Sequence, residues 1–242
     1  MKLAIIADIH GNLPALDTVL ADIARRGVER IVNLGDIVSG PLYPAETADR
    51  LMPLGITTIR GNHERQLLND GPDRIGQSDR YAADHLSDAH KAWLASLPAT
   101  LALDDILLVH GTPKSDLEYF LETVDDRGIR PATAAEIEAR AEGAQARIIL
   151  CGHTHTPRLV RTQDGRLIVN PGSVGVPAYR DAEPVPHDVE TGSPEARYAI
   201  VELATLAVEF VALTYDWESA ARQAEANGRP EWARALRTGR IG

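Results

Sequence analysis

A single cysteine, Cys151, stands among 242 residues, so no intramolecular disulfide can form and no cysteine-cluster zinc site can be assembled. Positive charge is short as well: 25 Lys and Arg face 35 Asp and Glu, a formal charge of −10 at pH 7. A dedicated nucleic-acid binder needs a basic footprint for the phosphate backbone, so this balance argues against a stable nucleic-acid complex. No apolar run approaches the roughly 18 residues of a membrane span. The apolar run at residues 3–7 is also too short for a signal-peptide core, and Asp8 follows it at once. These absences lead to the expectation of a reduced, cytoplasmic protein without a membrane partner, with Cys151 as a small buried hydrophobe. Hydrophobic residues at 44% and charged residues at 25% suit a folded chain and exclude disorder. No pattern in the chain specifies an oligomeric state.

What is present is a rhythm of short apolar runs and helical patterns. Residues 3–7, 31–34 and 56–59 read as strands, and each ends in a loop rich in polar residues. Leu16, Val19, Leu20 and Ile23 recur at helical spacing between Pro14 and the Gly27 stop, and a second helix is expected around 45–52. Residues 106–109 and 148–150 are further strands. The alternation predicts βαβ units and a largely parallel sheet, an α/β chain. Residues 64–97 read as helical, with Trp93, Leu94 and Leu97 facing a core. Residues 112–147 read as loop and helix, including 132–141. Asp164-Gly165 marks a hairpin between 158–162 and 167–170, and Asp104-Asp105 a tighter one. Residues 198–203 and 208–213 pair as strands. The Pro- and Asp-rich segment 181–194 is expected to be a mobile loop, and a polar helix near 217–237, broken at Gly228-Arg229-Pro230, closes the chain. One unit over 1–242 is expected, with helical insertions near 64–97 and 112–147.

Chemistry-bearing residues collect at the strand ends: Asp8-Ile9-His10, Asp36, Asn62-His63, His110 and His153-Thr154-His155. Five of the eight histidines fall there. Ligand sites in open α/β sheets lie beyond the carboxyl ends of the strands, so the five loops can converge. Imidazoles with carboxylate and amide oxygens suit divalent Mn, Fe or Zn, and a central Asp36 could bridge two such ions.

The ordered series Asp8-x-His10, Gly35-Asp36, Gly61-Asn62-His63-Glu64, His110-Gly111 and Gly152-His153-Thr154-His155 resembles the calcineurin-like metallophosphoesterase superfamily. Asn170-Pro171-Gly172-Ser173-Val174-Gly175 extends the match and resembles its small prokaryotic phosphodiesterase branch. The resemblance implies a four-layer α-β-β-α sandwich with two mixed sheets, and a metal-dependent phosphoric ester hydrolase. It implies two divalent ions, manganese first, with iron, zinc, nickel or magnesium as alternatives. Asp8, His10 and His155 would hold one ion, Asn62, His110 and His153 the other, and Asp36 would bridge. A hydroxide shared by the ions would attack phosphorus, and His63 would serve the leaving group as a catalytic residue that binds no metal. Ser173 would support the metal site through hydrogen bonds.

The chain departs from the related serine/threonine protein phosphatases after its second strand, where Gly35-Asp36-Ile37-Val38-Ser39-Gly40 stands against Gly-Asp-x-x-Asp-Arg. Ser39 replaces an acid that orients the histidine, and Gly40 replaces a phosphate-binding arginine. Small phosphodiesters, including nucleotide-derived ones, are therefore the expected substrates. Phosphomonoesters, dinucleoside polyphosphates and phosphoproteins are the alternatives, followed by a non-enzymatic binding scaffold. Lys114, Tyr179 and Arg180 are candidate substrate-binding residues from their positions after His110 and after the glycine loop. His85, His90 and His187 are expected to be solvated.

Overall fold

The computed structural model describes residues 1–71 and 73–242. The first half of the fold is β1 (Lys2–Ile6), α1 (Leu13–Arg25), β2 (Arg30–Asn33), α2 (Pro44–Leu51) and β3 (Thr57–Thr58). The helices α3 (Asn62–Asn69), α4 (Gln77–His85) and α5 (Asp88–Ser96) follow, so the helical stretch 64–97 divides into three. Next come β4 (Leu101–Leu103), β5 (Ile106–Leu108), β6 (Glu122–Asp125), β7 (Gly128–Pro131), α6 (Ala134–Arg140) and β8 (Ile148–Leu150). The chain continues through β9 (Arg158–Arg161), β10 (Leu167–Asn170), β11 (Ala178–Asp181), β12 (His187–Glu190), β13 (Ala196–Glu202) and β14 (Ala207–Leu213). It closes with α7 (Trp217–Ala226) and α8 (Pro230–Thr238), separated where Gly228 turns at a φ of 74°.

Two five-stranded mixed sheets form, in the orders β14-β13-β1-β2-β3 and β4-β5-β8-β10-β9. Strands β1, β2 and β3 are parallel to one another, as are β5, β8 and β10, while β13, β14, β4 and β9 each join their neighbour in antiparallel pairing. Alternation along β1 shows why its sequence is apolar throughout. Leu3 and Ile5 enter the core between the sheets, with Ile106, Leu108, Ile148 and Leu167 opposite; Ala4 and Ile6 enter a second core under α1, α2 and α7. A strand buried on both faces loses the polar face that an exposed one keeps. On the outer side of the second sheet, Ile149, Cys151 and Ile168 pack against Phe120 and Ile137 of α6. Helices, two sheets and a further helix give the four layers, and the carboxyl ends of the parallel strands of both sheets open on one edge.

Two segments differ from expectation. The region 112–147 holds one helix only, because Thr123, Val124 and Ile129 favour a strand pair turned at Gly128, giving β6 and β7. The segment 181–194 contains the second arm of the β11–β12 hairpin, in which Tyr179 faces a buried Val189, and only 182–186 and 191–194 are irregular. The Asp164-Gly165 and Asp104-Asp105 turns do join antiparallel strands. No helix among the described residues is long and apolar enough to cross a membrane.

Candidate metal centre

The loops after β1, β2, β5 and β8, with the start of α3, bring seven of the sequence-derived candidates together. Asp8, His10 and His155 form one cluster of potential ligand atoms and Asp36, His110 and His153 a second, each within 4.8 Å. Asp36 Oδ2 lies between the clusters, 3.1 Å from His110 Nε2 and 3.9 Å from His10 Nε2. His155 Nε2 stands 3.5 Å from Asp8 Oδ1. The backbone is strained to reach this arrangement. Seven non-glycine residues among those described have positive φ, and five of them are Asp8 (56°), His10 (52°), Asp36 (54°), His153 (69°) and His155 (54°). Such conformations cost roughly 1–3 kcal/mol each and cluster at functional sites.

Each imidazole is fixed from behind. Nδ1–H of His10 donates to Ser39 O, that of His110 to Leu34 O and that of His155 to Val176 O, each at 2.8 Å. The Nε2 atoms of His10 and His155 are thereby left as lone-pair donors facing inward, while at His110 burial is outweighed by Asp36 and Asp8, which raise its pKa to about 10. His153 is turned the other way, donating Nε2–H to Leu117 O at 3.1 Å and leaving Nδ1 free. Burial pushes His10 down to about 4 and His153 to about 3, and holds His155 well below the ordinary histidine value, so these rings are neutral. Two neutral rings with both Nδ1 protons committed therefore point Nε2 lone pairs at each other across 3.2 Å. A cation held between them would relieve the opposition of these lone pairs. Asn62 lines the same cavity as Asp36: its Nδ2 donates to Gln66 Oε1 at 3.2 Å, and its Oδ1 is buried with no hydrogen-bond partner among the described residues. An orphaned oxygen and opposed imidazole nitrogens are a donor set that fits hard to borderline divalent ions.

Two motif segments brace the site. Glu64, fully buried, accepts N–H bonds from Asp36 (2.9 Å), Ile37 (2.7 Å) and Gly61 (2.9 Å), tying the β2 loop to the start of α3. Ser173 Oγ donates to Asp8 O at 2.7 Å and accepts from Val176 N at 2.8 Å, whose own carbonyl holds His155. The supporting role expected of Ser173 is thus met by geometry.

His63 stands beside the clusters, its ring centroid 5.4 Å from that of His10. Its Nδ1 bonds the buried Asp79 carboxylate of α4 at 2.8 Å. Burial opposes the charged ring, but Asp36 and Asp79 outweigh it and raise its pKa to about 9. This corrects the inference drawn from Ser39. The acid missing there is supplied from another helix, and no motif marks it in the sequence. Gly40 also has a spatial reason to lack a side chain: a Cβ there would lie 2.5 Å from His10 O and 3.0 Å from Trp232 Cη2 of α8. Gly40→Arg is therefore expected to destabilise the fold by about 1–3 kcal/mol, since an overpacked site must displace the indole. A thermal melt that leaves Tm unchanged would contradict this.

A cavity of about 880 Å³ opens over the centre, with Tyr179 and Arg180 in its wall. Tyr179 donates to His153 O at 3.2 Å and packs edge-on to His155, 4.6 Å between centroids. Tyr119, which the sequence reading passed over, joins Tyr179 at 2.8 Å and His187 at 3.0 Å. Arg180 is mostly exposed and paired with Asp188. Lys114 is not brought to the site; it is exposed and reaches Glu142 instead. His90 and His187 are buried, bonded to Asp49 and Tyr119, and only His85 is exposed.

Residues 1–203 match the family described as the calcineurin-like phosphoesterase superfamily domain, and the chain belongs to that family of phosphoester hydrolases. It is 28% identical to the uncharacterized protein MJ0912 of Methanocaldococcus jannaschii, over 95% of this chain and 94% of that one. It is 28% identical to the phosphodiesterase YfcE of Escherichia coli, over 73% of this chain and 81% of that protein. Among solved structures, a metallophosphoesterase from Sphaerobacter thermophilus superposes with a TM-score of 0.78 at 26% identity, covering 99% of both chains. The hypothetical protein PH1004 from Pyrococcus horikoshii shares the fold, with a TM-score of 0.79 at 22% identity over 100% of this chain and 99% of that one.

Proposed function

We propose that this chain, acting as one unit, hydrolyses small phosphodiesters at a dinuclear metal centre. The observation that carries the reading is the pair of neutral imidazoles, His10 and His155, whose Nε2 lone pairs face each other at 3.2 Å. Asp8, His10 and His155 would hold one ion, Asn62, His110 and His153 the other, with Asp36 shared. Bound there, two divalent ions would lower the pKa of a water and neutralise charge on the phosphoryl oxygens. Manganese suits the mixed imidazole, carboxylate and amide set.

The remaining work falls to this chain's own groups. His63, held protonated by Asp79 and Asp36, donates a proton from Nε2 to the departing oxygen. Asp79 fixes the ring so that Nε2, not Nδ1, faces the substrate. Tyr179 and Trp232 wall the cavity with aromatic surface and limit water. The diester preference rests on Gly40, where Trp232 takes the room of a charged side chain that a monoester dianion would use. The YfcE relative is a phosphodiesterase by name, which agrees with that preference. A non-enzymatic scaffold is disfavoured because all seven candidate ligands and His63 converge. A reducing cytoplasm suits the buried, free Cys151 thiol.

Exhaustive chelation of purified protein should abolish cleavage of bis(p-nitrophenyl) phosphate, and added manganese should restore it. Activity that persists with metal content measured as negligible would sink the reading.

A further inference from the structure

The cavity wall beside His63 is completed by the end of the chain, beyond the residues that match the family. Trp232 of α8 lies with its ring centroid 6.2 Å from that of His10. Arg229, just before α8, lies over the same indole with Cζ 5.7 Å from the centroid. Its side chain is 17% exposed. Nη1 donates to Ser78 Oγ at 3.3 Å, and Ser78 immediately precedes Asp79, the partner of His63. Arg229 therefore enters the cavity on the side where His63 meets the leaving group.

The guanidinium is not used up by its neighbours. Among the described residues its one acidic partner is Glu231, bonded through Nε, and that carboxylate is 54% exposed. The carboxylate half of this pair is open to water, which screens it, so an anionic ligand can compete with it for the guanidinium. Nη2 makes no hydrogen bond to a described residue. A guanidinium has five donors in a rigid fork, and one stacked on an aromatic face is held ready for bidentate contact with an anionic oxygen pair. The cavity, about 880 Å³, lies in the size range of sites for whole small molecules, roughly 300–1,000 Å³, so it has room beyond the scissile phosphoryl.

Resting on the phosphodiesterase reading above, we infer that Arg229, backed by Trp232, is a subsite for a second anionic group carried on the leaving-group side of the substrate. The substrate class is then phosphodiesters whose departing alcohol bears a further phosphoryl group. Nucleotide-like compounds with a terminal phosphate belong to it.

The test uses the full chain loaded with manganese and two probes: thymidylyl-thymidine, and the same dinucleotide carrying a terminal phosphate at either end. Turnover is followed by chromatography. The wild-type protein is expected to show a KM at least tenfold lower for one of the phosphorylated forms. Arg229→Gln should erase that difference. Arg229→Lys should keep part of it, because an ammonium retains charge but not the fork, and added guanidinium should partly rescue Arg229→Gln. If Arg229→Gln fails to fold by circular dichroism, the KM ratio of Arg229→Lys decides. Equal KM values in the wild-type protein, turnover of neither dinucleotide by a protein that cleaves bis(p-nitrophenyl) phosphate, or a preference that survives at Arg229→Gln would overturn the inference. Failure to cleave bis(p-nitrophenyl) phosphate as well would instead remove the phosphodiesterase reading on which it rests.

Discussion

His63→Ala is expected to lower kcat by about 10²–10⁴-fold for a diester with an alkyl leaving group, the usual worth of a positioned general acid, while both metals stay bound. Asn62 and His63 are adjacent, yet they point to different work. Asn62 Oδ1 is buried in the cavity wall with no hydrogen-bond partner among the described residues, whereas His63 is tied by Nδ1 to Asp79. Asn62→Ala should therefore lose metal and rate together, and His63→Ala rate alone. The His63→Ala loss should shrink for p-nitrophenolate, which leaves without protonation. Asp79→Asn should cost less than His63→Ala, because an amide oxygen can still accept from the Nδ1–H and hold the ring. Metal analysis beside kinetics on good and poor leaving groups decides the matter. Loss of a metal from His63→Ala, or equal slowing of both substrates, would make His63 a ligand or a positioning group.

A single added methyl should be nearly as damaging at Gly61. A Cβ there would stand 2.1 Å from Asp36 Oδ1 and 2.7 Å from Asp36 N. The clash cannot relax easily, since Glu64 pins Gly61, Asp36 and Ile37 through three N–H bonds. The carboxylate proposed to bridge the ions must move instead. Gly61→Ala is expected to weaken metal binding at least tenfold, within the roughly 10–100-fold range seen when the support of a ligand is disturbed. Activity should fall in step. Stability should drop by about 1–3 kcal/mol, the usual cost of overpacking. Unchanged manganese affinity by titration, together with wild-type kcat, would show that Asp36 tolerates displacement and does not bridge.

Much of this architecture is legible along the chain. The run 3–7 is apolar at every position because β1 feeds two cores, and such a run bounded by a polar loop reads as a buried strand without any partner in view. The seven candidate ligands were equally visible, because each follows a strand or opens a helix, and parallel strands deliver their carboxyl ends to one edge. Local turn chemistry also carried through at Asp104-Asp105 and Asp164-Gly165. Where two local preferences competed the reading failed: the β-branched residues of 122–131 prevailed over the polar, loop-like character of the region, and the hairpin at 178–190 prevailed over its proline content.

The sequence by itself determined the strands of the two five-stranded sheets, their order of loops and the identity of the groups that meet at the sheet edges, since strand period and loop position are properties of neighbouring residues. Only the tertiary structure decided the contacts made across long separations. It brought Asp79 to His63 in place of the acid absent at Ser39, filled the room above Gly40 with Trp232 from almost 200 residues away, and left Lys114 in solvent with Glu142. Such pairings follow from how helices pack over a sheet edge, and a helix facing a cavity shows the same amphipathic spacing as one facing water. Its period tells which residues share a face, not what stands opposite that face.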